Sequence, residues 1–214
     1  MKRHVVMRTL ETALIVALIV IVAGCFGRTK VPYSIEHFTL DYPSPTLSGL
    51  SPVNESIRIE RFGVARSFDS TAMIYKPLPY RLDAYAYSRW RVGPGDMVSD
   101  FLLRDMRRTS LFKGVFSYYN NERARFVLDG TVEEFFESDE GATANAVFAV
   151  NATVIDKGGK GLENQILFQK TYRLITPLRE RSPEGFTQGI SADMALFSEQ
   201  LMKDLKAALD GRGP

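Results

Sequence analysis

Few side chains in this sequence are placed to do chemistry, and the first is Cys25, the single cysteine in 214 residues. A thiol can act as nucleophile, metal ligand or acyl acceptor, and the residues around it decide which. Only two histidines, His4 and His37, could assist it. With no second cysteine and so few imidazoles, a zinc-type ligand set cannot be assembled. A Ser-His-Asp arrangement would rest on His37, yet no Gly-x-Ser-x-Gly elbow is present. Gly93-Pro94-Gly95 lacks the Lys and Ser/Thr of a phosphate loop and reads as a helix entry. The acid pairs Glu133-Glu134 and Asp139-Glu140 are sequence neighbours that point apart in a strand or sit in a turn, so solvated charge is their default reading. Catalysis finds no constellation here.

Cys25 closes the run Val22-Ala23-Gly24-Cys25. Lys2, Arg3 and Arg8 precede an unbroken apolar stretch from Ala13 to Ala23, which is the layout of a secretory signal. That stretch is shorter than the roughly 20 residues that cross a bilayer. An apolar residue and two small ones before Cys resemble the bacterial lipobox, in which the thiol is acylated and the Cys becomes the new N-terminus. An uncleaved signal anchor, or a buried free thiol that happens to fall there, is the competing reading, the anchor being the stronger of the two. The polar segment Gly27-Arg28-Thr29-Lys30 favours lipidation. The boundaries that follow are a signal at 1–24, a lipidated Cys25 with its tether at 25–32, and a folded region at 33–214. Phe26 stands where an Asp would retain a lipoprotein in the inner membrane, so the anchor is assigned to the outer membrane, with the domain facing the periplasm.

Cleavage removes Lys2, Arg3, Arg8 and Glu11 and leaves 24 Lys plus Arg against 24 Asp plus Glu. A neutral mature domain lacks the basic excess of a nucleic-acid binder. No cysteine remains for a disulfide, so stability must come from core and sheet. No cofactor is expected beyond the acyl chains on Cys25.

Alternation and helical spacing lay out the fold. Tyr33 to Leu40 alternates loosely, and Pro43, Pro45 and Pro52 mark a loop. Ile57 and Ile59 belong to a half-buried strand, and Met73 to Lys76 to a brief one before Pro77. Met97, Phe101, Leu102 and Met106 share one face of a helix opened by Pro94. Three long strands follow: Arg125 to Phe136 with a bulge near Glu133, Ala142 to Asp156, and Ile166 to Pro177. Ser182-Pro183-Glu184 starts a closing helix with its apolar stripe at Phe186, Ile190, Met194, Phe197, Leu201 and Leu205. The expectation is a single α+β domain, an antiparallel or mixed sheet with two main helices packed on one face.

The segment from Arg66 to Arg91 concentrates Tyr, Trp and Arg, the residues enriched at binding hot spots. Trp90 is expected in the core. Tyr85 and Tyr87 share the strand face of Arg81 and Arg89; that face is either surface or core, and these four are the candidate partner-binding residues.

The order of features is similar to the auxiliary lipoproteins of MCE-type ABC transporters, the family of paraquat-inducible protein C. The features are the lipobox, the Tyr33–Leu40 strand, Ile57-x-Ile59, the tyrosine-rich strand ending in Trp90, the helix start at Pro94, Phe126-x-Leu128-x-Gly130-x-Val132 and a long terminal helix. Arg91 departs from the pattern, which has a small residue and then an acid after the tryptophan. The resemblance implies a non-catalytic outer-membrane lipoprotein that docks a periplasmic MCE-domain protein and assists phospholipid transport between membranes. Its own contact with phospholipid is left open. A structural or regulatory envelope lipoprotein, such as a peptidoglycan synthase activator, would share the anchor and a small α+β domain. An anchored hydrolase would need acids gathered around His37.

Overall fold

The strand β7 (Phe126–Ser138) is the spine of the sheet. In the computed structural model, which describes residues 33–120, 122–139, 143–159, 161 and 165–211, three strands line one edge of β7 in parallel. These are β2 (Val53–Ile59), β3 (Gly63–Val64) and β4 (Ala72–Leu78). Along its other edge β8 (Asn145–Asp156) runs antiparallel and pairs in turn with β9 (Ile166–Pro177). Outside β2 lies β6 (Phe112–Ser117), and outside β4 lie β5 (Arg81–Trp90) and then β1 (Glu36–Phe38). The sheet is mixed.

Two helices complete the domain, α1 (Pro94–Thr109) and α2 (Pro183–Asp210). They touch each other and share one apolar core with the sheet. Neither is long and apolar enough to cross a membrane. Helix α2 starts as its sequence dictates: the Ser182 hydroxyl accepts the Gly185 amide at 3.0 Å, and Pro183 occupies the first turn. Its stripe from Phe186 to Leu205 is fully buried. Gly211 ends the helix in an ordinary right-handed conformation, so the stop does not use glycine's freedom.

The signal at 1–24, the tether at 25–32 and Cys25 lie outside the described residues, as do Glu140 and Ala142. Residues from Ile35 onward form one compact unit.

Two details differ from the expectation. Strand β4 is not brief: it runs through Pro77 to Leu78. Its last rung on β7 is Lys76 with Ser138, so Pro77 sits beyond that ladder, at a register shift in the pairing with β5. On β7 a register shift between Val132 and Glu134 changes which residues face inward. Before it Phe126, Leu128 and Val132 are buried, and after it Phe135 and Glu137 are. Gly130 makes room on this strand, because a Cβ there would collide with the Phe62 ring and the Asn151 carbonyl.

Candidate docking edge

Strand β5 is irregular where its aromatics cluster. Ala72 pairs with Arg89 and Ile74 with Ala84, so Met73 alone on β4 stands against Tyr85 to Ser88 on β5. The extra residues form a bulge, and strict alternation fails across it. Ala86 and Tyr87 are both exposed although they are neighbours. The Arg89 guanidinium folds back on this bulge and donates to the carbonyls of Tyr85 and Ser88.

The four candidate residues therefore have different surroundings. Tyr87 is exposed at 47%. Arg81 is exposed and pairs with Asp83 at 2.8 Å. Tyr85 is half-buried; its ring tilts against Tyr75 at 5.2 Å, and its hydroxyl donates to Glu137 Oε2 at 2.8 Å. Arg89 is half-buried, and its Nη1 donates to backbone. Tyr87 and Arg81 can meet a partner directly, while Tyr85 and Arg89 hold the bulge that carries Tyr87.

Trp90 closes the strand in the core as expected. Its ring is fully buried, edge-on to Phe135 and Phe186 at 5.3 Å each. Phe68 also turns inward and stacks on Phe136.

Glu137 escaped the sequence reading. Its carboxyl group is fully buried, with Asp139 beside it. Burial pushes it up to about 7, the nearby Asp139 charge adds to this, and the Tyr85 hydroxyl opposes it. Asp139, taken as solvated turn charge, is drawn in beside Glu137, with Arg181 Nε 3.5 Å from its Oδ1. The bulge near Glu133 was the signal, since it places Glu137 on the inward parity. Glu134 pairs with Arg173 across the sheet, on the solvent side.

His37 is exposed on the edge strand β1, opposite Arg89. Among the described residues no three His, Cys, Asp or Glu side chains gather as a metal site. A hollow of about 330 Å³ at the start of α1 is lined by Gly63, Asp69, Thr71 and Gly95 and by the Arg61–Asp96 ion pair.

A mixed sheet with both helices on one shared core defines an α+β domain with an aromatic edge. The chain belongs to the family of ABC-type transport auxiliary lipoprotein components, whose model matches residues 38–202. No curated protein matches the sequence. Among solved structures the chain is similar to protein XCC0632 from Xanthomonas campestris, with TM-score 0.72 and 15% identity, covering 84% of this chain and 99% of that one. It is also similar to an uncharacterized protein, with TM-score 0.62 and 10% identity, covering 80% and 99%. At these identities the two structures speak for the fold alone.

Proposed function

We propose that this ABC transport auxiliary lipoprotein is a non-catalytic outer-membrane component of an MCE-type system. It docks the periplasmic MCE assembly and so assists phospholipid transport between membranes. The observation that carries the reading is the family match across residues 38–202, which takes in every strand from β2 to β9 and most of α2. Transport is therefore the role of the fold itself rather than of an appended segment.

The chemistry supports a tether rather than an enzyme. Acyl chains on Cys25 fix one end in the membrane, and several chains hold far more firmly than one. The stretch of β5 that β1 leaves uncovered, which carries Tyr87, then meets the partner, with Arg81 further along the same strand. Tyr offers a large rigid surface with a polar tip, which suits an interface that is wet at its rim. ATP hydrolysis and the lipid channel belong to other chains of the system.

In-cell cross-linking of the tagged, lipidated protein, with captured partners identified by mass spectrometry, tests this reading. Recovery of an MCE-domain protein, reduced at least tenfold by Tyr87→Ser with Arg81→Ser, is the expected result. Recovery of a peptidoglycan synthase in its place would overturn it.

A further inference from the structure

The hairpin between β4 and β5 outgrows the sheet. Its last rung on β7 is Lys76 with Ser138, whereas β4 and β5 go on pairing to Leu78 with Arg81. On this projection Leu78 is exposed at 59%, Leu82 at 44% and Tyr80 completely. Tyr119, another large exposed residue, is instead covered on one side by the Tyr118 ring at 4.1 Å. A cluster of this kind on a soluble domain marks a contact surface.

Its backbone points the same way. Tyr80 holds a left-handed conformation, φ 66°, directly after Pro79. That position favours Gly, yet the residue there is a bulky aromatic with its whole side chain in water. Pro79 limits the motion of the tip, so little ordering is left to lose on contact.

The course of the chain decides what meets the tip. Strand β1 runs parallel to β5, with Glu36 opposite Ser88 and Phe38 opposite Trp90. The polypeptide therefore enters the sheet from the end at which the hairpin projects. From the Ser88 rung to Arg81 the bulged strand covers at most about 23 Å. The segment between Cys25 and Ile35 can span up to about 35 Å. A bilayer that holds Cys25 is thus within reach of the tip. The Arg81–Asp83 pair leaves the tip without net charge, which favours apolar seating over attraction to anionic lipid.

We propose that Leu78, Tyr80 and Leu82 at the hairpin tip are a membrane contact, seated at the headgroup and acyl boundary of the bilayer that carries Cys25, with the Arg81–Asp83 pair left outside it. Tyr80 takes the interfacial place that amphipathic rings favour, and Leu78 and Leu82 reach the acyl side. The contact rests on the anchor reading and does not depend on the transport partner.

The test uses the full acylated chain in zwitterionic phosphatidylcholine vesicles. A polarity-sensitive fluorophore is attached at Pro79→Cys, or at Lys157→Cys on the opposite end of the sheet. Brominated lipid is expected to quench the probe at 79 at least twofold more than the probe at 157. Adding Leu78→Ser, Tyr80→Ser and Leu82→Ser should remove that difference while melting stays unchanged. A probe at 79 that is quenched no more than the one at 157 overturns the membrane contact. A spectral shift that appears only as protein concentration rises would assign the tip to a second copy and also overturn it. A chain whose mass shows no acyl groups on Cys25 fails the anchor reading first, and the tip contact with it.

Discussion

The Tyr85 hydroxyl crosses over β4 to donate to Glu137 Oε2 at 2.8 Å, tying the aromatic strand β5 to a carboxylate in the centre of the sheet. Burial raises Glu137 from its ordinary value to about 7, so the folded domain holds a proton that the unfolded chain releases near pH 4.5. Folding then takes up a proton between those values, and stability falls as pH rises from about 4.5 to about 7 before levelling. Asp193 on α2, raised by burial to about 6, adds a fall of the same sign from about 4 upward. Glu137→Gln keeps an acceptor for Tyr85 and has no proton to lose. At pH 8 this variant should be more stable by on the order of 1–3 kcal/mol, with a flatter pH profile in urea unfolding. A profile as steep as the parent's would remove Glu137 as the cause.

The division of labour on β5 can be checked by stability alone. Tyr87→Ser and Arg81→Ser touch exposed side chains and should shift unfolding by no more than about 0.5 kcal/mol. Tyr85→Phe leaves a buried carboxylate without its donor, and Arg89→Ala leaves two bulge carbonyls without theirs. Each should cost about 1–3 kcal/mol. Equal losses in all four would mean that the whole strand is structural.

Much of this architecture was legible in the sequence because it depends on local spacing. The stripe from Phe186 to Leu205 has helical period, and the alternation from Ala144 to Val154 has strand period; both are buried as read. Trp90 could be placed in the core because it is the lone Trp and sits just before a helix. Pairing order was not legible. Nothing local says that β2, β3 and β4 share one edge of β7, since those contacts join segments far apart in the chain. The site failed to read for a related reason. Strict alternation puts Tyr85, Tyr87, Arg81 and Arg89 together, but a bulge in β5 separates their roles. A second bulge, in β7, turns Glu137 inward, and its position was visible as broken alternation although its consequence was not.

The proline-rich loop after β1 is locked by one buried carboxylate. Asp105 on α1 accepts the Tyr42 hydroxyl at 2.8 Å and the Ser44 hydroxyl at 2.6 Å, and Arg104 donates to it at 2.9 Å. Arg104 in turn lies over the rings of Tyr42 and Phe101. Asp105→Ala strands these donors at a buried position and should cost about 3 kcal/mol. Limited proteolysis should then cut within residues 41–52 well before the core opens. Cleavage that begins elsewhere would separate Asp105 from the order of this loop.

Cys25 carries the anchor reading, and its loss should separate location from folding. Each buried methylene contributes about 0.8 kcal/mol, so several acyl chains bind a membrane far more firmly than one. Cys25→Ala cannot be acylated, and the variant should leave the membrane fraction on carbonate washing if its signal is cut, while the parent stays. The compact unit starts at Ile35, beyond the substituted position. Thermal unfolding of the released variant should therefore match that of the detergent-extracted parent within about 2 °C. Retention of Cys25→Ala in the washed membrane, with residues 1–24 still present by mass, would show that the apolar run from Ala13 to Ala23 is itself the anchor.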